Sequence, residues 1–194
     1  QIEAIEAPAP FRPGEEETAA ALRASATWLR TMFAIVPLAV GVRNDDQHEL
    51  GHSTDMKAND FAEPYRVPDF NFGWSARDAS YSYGSFDLAA DEALVITHRP
   101  PACRFWNMVI WNPFMATPGV FDARSSLNGY TAVPNSDGSV TIVVSRGATS
   151  HPNSLTTLDY PTGNLAFRWF LAEEEPARPE VQLVKIGAAP TMVW

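Results

Sequence analysis

The run His48-Glu49-Leu50-Gly51-His52 matches H-E-x-x-H. On a helix, imidazoles at i and i+4 share one face and can hold a zinc ion, while the glutamate activates the metal-bound water. Asn44 or Asp45 could cap such a helix, and Gln47 stands three residues after Asn44, where a capping-box partner belongs. The flanks argue against it. Arg43-Asn44-Asp45-Asp46 and Ser53-Thr54-Asp55 offer almost nothing apolar to bury, and Gly51 weakens a helix by about 1 kcal/mol. A third ligand, from Asp60, Glu63, His98 or His151, would have to arrive through the fold. Zinc, with His48 and His52 as ligands and Glu49 as base, is therefore the alternative reading, a zinc-dependent hydrolase. The leading expectation is no cofactor.

A second signal is Arg168 inside Leu165-Ala166-Phe167-Arg168-Trp169-Phe170. A guanidinium in an otherwise apolar strand needs a carboxylate, carbonyls or a ligand. Rings are plentiful nearby: Tyr81, Tyr83, Trp106, Trp111, Phe114 and Trp169 lie on or beside predicted strands. Such rings usually fill a core, and small-ligand sites also combine ring faces with a few polar anchors. Other chemistry is missing. The chain has no G-x-S-x-G elbow, no S-x-x-K and no glycine-rich phosphate loop, so nucleophile and nucleotide motifs give no support. Cys103 is the one cysteine; it forbids an intrachain disulfide and reads as a buried, inert thiol.

The elements that would position these residues follow from periodicity. Residues 1–14, rich in Ala, Pro and Glu, read as an extended arm. Residues 15–37 read as a helix packed on the core, because Leu22, Ala26, Leu29, Phe33 and Val36 share one face. Glu15, Glu16 and Glu17 oppose the positive end of its dipole, and Pro37 is expected to stop it. Residues 38–78 lack a sustained period and read as a long irregular connection. From 79 to 187 the character changes to short runs rich in β-branched and aromatic residues. Strands are predicted at Ser80–Leu88, Glu92–His98, Arg104–Trp111, Tyr130–Val133, Ser139–Arg146, Asn164–Ala172 and Val181–Ile186. Asp137-Gly138 supplies a tight turn before the fifth, and residues 188–194 form a tail. The expected architecture is mainly β (α+β): an antiparallel β-sandwich, jelly-roll-like, with one packed N-terminal helix.

Composition bounds the partners. The chain has 194 residues with 14 Lys and Arg against 23 Asp and Glu, a formal charge of −9. An acidic protein without a basic stripe is a poor partner for nucleic acid or an anionic membrane surface. Met32 to Val42, the longest apolar run, is broken by Pro37 and falls short of the roughly 20 residues that span a bilayer. No membrane span is expected and no signal peptide is visible, which leaves open a leader lost by processing; the compartment stays undecided, with a soluble chain and the cytoplasm slightly favoured. The acidic, proline-rich arm could reach a neighbouring subunit, which leaves a homo-oligomer and an assembly role open.

The order of many small motifs resembles a bacterial family known as domain of unknown function 1214. The likeness covers about residues 59–186. It rests on Asp78, Tyr81, Phe86, Asp91-Glu92-Ala93-Leu94-Val95-Ile96, Pro100-Pro101, Phe105-Trp106-Asn107, Ser126-Leu127-Asn128, Asp137-Gly138-Ser139-Val140, Pro152-Asn153 and Phe167-Arg168-Trp169. It implies an antiparallel β-sandwich and no established activity. Where the family usually reads Asn-Trp-Leu-Asp, this chain has Asn153-Ser154-Leu155-Thr156, so a pocket shaped by that Trp and Asp would be altered here. The resulting expectation is a cleft between the sheet and the 38–78 segment that binds, and could act on, a small polar or sugar-like molecule. Arg168 would clamp an anion or carbonyl, and Asp78 would be its partner or a general base. Tyr81, Asn128 and Asn153 would add polar contacts, with Trp106 as a stacking face.

Overall fold

The computed structural model describes residues 12–39, 58–66, 76–113, 115–119 and 124–186, with residues 31–39 by backbone alone. The chain divides into two units, residues 1–35 and 36–194. The first holds most of helix α1, Glu15–Ala39, with the three glutamates in its opening turn. Its start is capped: the Gly14 amide donates to Glu17 Oε2 at 2.9 Å, so one of the orphan donors of the first turn is satisfied. The helix ends at Ala39 rather than at Pro37. A proline lacks only its own N–H, and so close to the end one missing bond is tolerated. Leu22 and Leu29 of the expected apolar stripe are exposed, as is Trp28. Among the described residues no helix is long and apolar enough to cross a membrane.

The second unit is a sandwich of two sheets. One sheet contains β1 (Asp60–Phe61), β3 (Ala79–Asp87), β9 (Thr162–Phe170), β5 (Phe105–Trp111) and β6 (Ser126–Asn128) in that order, with β2 (Tyr65–Arg66) also paired to β3. The other runs β10 (Glu180–Lys185), β4 (Glu92–His98), β7 (Val140–Ser145), β8 (Ser154–Thr156). Successive long strands alternate between the sheets, the connectivity expected of a jelly-roll-like sandwich. Every described pairing is antiparallel except β7 with β8, which is parallel.

Strand periodicity explains the layers. Along β5, Trp106, Met108 and Ile110 are buried while Phe105, Asn107, Val109 and Trp111 are half-buried; alternate residues face opposite sides of a pleat. The inward set meets Phe86, Phe167 and Trp169 from its own sheet and Leu94, Ile96, Ile142, Val144 and Leu155 from the other in one apolar cluster. Between the layers, Trp169 Nε1 donates to His98 Nε2 at 3.1 Å, which ties β9 to β4.

The predicted strand Tyr130–Val133 is not formed. The Thr131 and Ala132 amides donate to Asn128 O at 3.0 and 2.9 Å, and Asn128 Oδ1 accepts from the Tyr130 amide at 2.9 Å. Asparagine side chains that bond the backbone two residues on make turns and compete with a ladder. The Asp137-Gly138 turn is present, with Gly138 at φ +81°. Asp137 Oδ1 accepts from Ser139 Oγ at 2.6 Å, and that bond leads in holding the carboxyl at about 2. The 38–78 connection carries β1 and β2 within it.

Candidate functional site

Of the described site residues that the sequence predicts, Arg168 and Tyr81 meet, while Asp78, Trp106 and Asn153 do not join them. Arg168 sits on β9 opposite Tyr81 of β3 and Asn107 of β5, on the face of the sheet turned away from the core. It is exposed, and its guanidinium lies 5.4 Å from the centre of the Tyr81 ring, a cation–π contact. The apolar look of 165–170 is misleading at this position, because alternate residues of β9 face outward. Asp78 is exposed as well. Its carbonyl accepts from the Leu171 amide at 2.9 Å, which places it three rungs from the Tyr81–Arg168 pair, roughly 10 Å along the strand. The two form no ion pair, so the expected Arg168–Asp78 pairing is corrected.

Around Arg168 the outer face is aromatic. Tyr81 stacks on Tyr83 at 6.1 Å between centroids, and Tyr83 meets Trp111 at 6.2 Å. The Tyr81 hydroxyl accepts from the Ala76 amide at 2.8 Å. Burial, then the neighbouring phenols, push the Tyr65 hydroxyl far above its ordinary value. Burial likewise raises Tyr83, while the Arg168 charge draws it back. The hollow among these rings holds only about 20 Å³, room for about one water and not for a sugar.

The other predicted residues have structural duties. Trp106 points inward, its ring edge-on to His98 at 5.2 Å, so it has no free stacking face. Asn128 builds the 128–132 turn. Asn153 is buried; its Oδ1 accepts from the Val133 amide at 2.8 Å, and its Nδ2 donates to Val133 O and Thr141 O at 2.8 and 2.9 Å. Its two amide protons are committed to the loop before β7 and to β7 itself. His48, Glu49 and His52 lie outside the described residues, as does most of the 38–78 segment meant to close the cleft. Among the described residues no group of three or more His, Cys, Asp or Glu could hold a metal.

A larger depression lies elsewhere, beside the β7–β8 pair, with a volume of about 720 Å³. This is within the range of small-molecule pockets. One wall is the segment after β7, from Arg146 to His151; the other comprises Ser154 and Thr156 of β8, with Arg124 alongside. The parallel register sets Val143 against Ser154 and Ser145 against Thr156, so the two segments leave the sheet side by side. Arg146 Nε and Nη2 donate to Asp159 Oδ1 at 2.9 and 2.6 Å. Asp159 is presented by a turn in which Leu158 and Asp159 both have positive φ, 51° and 64°, closed by Tyr160 N to Thr157 O at 3.3 Å. Positive φ at both central residues marks a type I′ turn, which normally selects Asn or Gly. His151 is buried and its Nδ1 accepts from the Asn153 amide at 3.1 Å, which places the ring proton on Nε2. Burial lowers its pKa, so the ring is neutral at pH 7.

Sequence reading singled out none of these arginines. Arg124 stands in a segment of its own before β6, whereas Arg146 and His151 bound one basic, glycine- and hydroxyl-rich run, Arg146-Gly147-Ala148-Thr149-Ser150-His151, which is the signal that could have pointed here.

No protein-family model matches the chain, and no curated protein matches it. Among solved structures, an uncharacterised protein from Burkholderia cenocepacia is 34% identical, with a TM-score of 0.56; the match covers 59% of this chain and 32% of that one. A Vibrio parahaemolyticus protein is 25% identical with a TM-score of 0.46, covering 56% of this chain and 31% of its own. This chain thus spans about a third of the length of the solved chains it matches. The Burkholderia likeness accords with the two-sheet architecture.

Proposed function

We propose that this chain is a small-ligand-binding β-sandwich of the kind gathered under domain of unknown function 1214, and that its ligand, a small polar molecule, sits in the groove beside β7 and β8. The observation that carries this reading is the groove itself: about 720 Å³, walled by side chains from separate segments that mix two guanidiniums with hydroxyls. Among the described residues the hollow beside Arg168 is far smaller, about 20 Å³, so the proposal departs from the sequence expectation and takes the groove on the other sheet.

A library of small polar molecules, screened against the ¹⁵N-labelled chain, tests it. Hits are expected to move the amide signals of residues 146–154 in a saturable way. Filling the groove with Ala148→Trp, at an exposed position, is expected to abolish those shifts without lowering the melting temperature. Hits that move only Tyr83, Asn107 and Trp111, or a library that moves nothing, would overturn the reading.

A further inference from the structure

We infer that the groove selects a molecule bearing a phosphate or carboxylate group, seated against Arg124 and the Ser154 hydroxyl; this rests on the binding role proposed above. Arg124 donates through Nη1 to Pro152 O at 2.6 Å and forms no ion pair with a described carboxylate. A guanidinium has five N–H donors, so most of its donors remain for a ligand. Ser154 Oγ accepts from Thr149 Oγ1 at 2.8 Å and from the Thr149 amide at 3.4 Å. A hydroxyl has two lone pairs and one proton, which leaves the Ser154 proton to be donated.

The acceptors named in the same walls each take at least one hydrogen bond. Arg146 O accepts from the Asp159 amide and from Thr156 Oγ1, at 3.1 and 3.0 Å. Gly147 O accepts from Ser145 Oγ at 2.7 Å, and Pro152 O is taken by Arg124. The single lining carboxylate, Asp159, is held on Arg146 at 2.6 Å. Two arginines against one aspartate leave the hollow net positive in a chain whose formal charge is −9. A surface with donors in surplus and acceptors in use matches a group that only accepts, and a guanidinium fork matches an oxyanion in particular. A neutral sugar, whose hydroxyls must donate as well as accept, matches it poorly.

Inorganic phosphate, acetate and glucose are titrated separately into the ¹⁵N-labelled full chain at pH 7. Phosphate and acetate are expected to shift the amides of residues 147–149 and Ser154 saturably. Arg124→Gln should weaken phosphate binding at least tenfold, Arg124→Lys should restore part of the loss, and Ser154→Ala should weaken it severalfold. Arg99→Gln, which removes an exposed arginine paired with Asp137, should change nothing. Equal phosphate affinity in wild type and Arg124→Gln, or equal loss in Arg99→Gln, would overturn the inference. Glucose moving the groove signals while neither anion does would also overturn it and leave the binding role standing. If no probe and no library member moves them, both fall.

Discussion

His98 must stay unprotonated on Nε2, because that nitrogen accepts the Trp169 indole N–H. The ring is buried among Trp106, Phe167 and Trp169, and among the described residues its Nδ1 has no hydrogen-bond partner. Burial lowers its pKa from 6.5 to about 3. Since the folded value lies below the unfolded one, the unfolded chain holds the extra proton between those two pH values. Stability is therefore full above pH 6.5 and is lost as pH falls toward 3, by roughly 4 kcal/mol at 1.36 kcal/mol per pKa unit. Urea unfolding at pH 7 and pH 4 should show most of that loss, roughly 3 kcal/mol, in the wild type. In His98→Gln, whose amide oxygen can still accept from Trp169 but does not titrate, the slope should largely vanish; an unchanged slope would assign the acid sensitivity to the carboxylates. Arg168 makes the opposite case. Its described contact is one exposed cation–π pair, so Arg168→Met should change stability by less than about 1 kcal/mol, read by the same unfolding curves. A larger loss would mean that the guanidinium holds something more than the Tyr81 ring.

At the scale of strands, two glycines take part in the register. Gly84 lies opposite Phe61, and Gly163 opposite Phe86. A Cβ on Gly163 would lie 2.5 Å from the Phe86 ring and would also meet Trp111 O; the backbone of a neighbouring strand cannot step aside as a flexible side-chain tip can. Gly163→Ala should cost about 1–3 kcal/mol or more through overpacking, measured as a fall in the urea midpoint with an unchanged slope. Alternation made most strands legible: Glu92–His98 is found with the predicted bounds, and the strands over Ser80–Leu88, Arg104–Trp111, Ser139–Arg146, Asn164–Ala172 and Val181–Ile186 appear with ends shifted by one or two residues. Tyr130–Val133 fails because composition cannot show that Asn128 captures the next amides, and Ser154–Thr156 was missed because three residues carry too little period to register. β8 is held from outside its own sequence, by Asn153. Asn153→Ala removes three hydrogen bonds at a buried position, and the stranded Val133 and Thr141 groups should make it cost about 2–4 kcal/mol.

The candidate site was the least legible level, since it depends on which distant segments become neighbours. Arg168 drew attention by breaking an apolar run, yet the pleat turns it outward; Arg124 and Arg146 sit among turn residues and break nothing. What brings them together is the parallel β7–β8 register together with the Thr156 amide, which donates to Arg124 O at 3.0 Å, long-range facts with no local period. Charge is the property of the whole chain that composition does state, and it predicts how the molecule answers to salt. The cations at Arg99, Arg146, Arg178 and Lys185 each pair with a carboxylate at 2.5–3.0 Å, and the carboxylates outnumber the cations enough to leave a formal charge of −9. Contacts that short are little affected by ions, whereas repulsion between dispersed carboxylates is cut as the screening length falls from about 30 Å at 0.01 M to about 8 Å at 0.15 M. Exposed pairs contribute at most about 1 kcal/mol each, so relief of self-repulsion should win. Raising sodium chloride across that range at pH 7 should raise the melting temperature by a few degrees, followed by circular dichroism. A fall would show that the ion pairs outweigh the net charge. Sodium acetate at matched ionic strength separates screening from occupancy: a rise beyond that in chloride, lost in Ala148→Trp, is expected if an oxyanion in the groove stabilises the folded state by mass action.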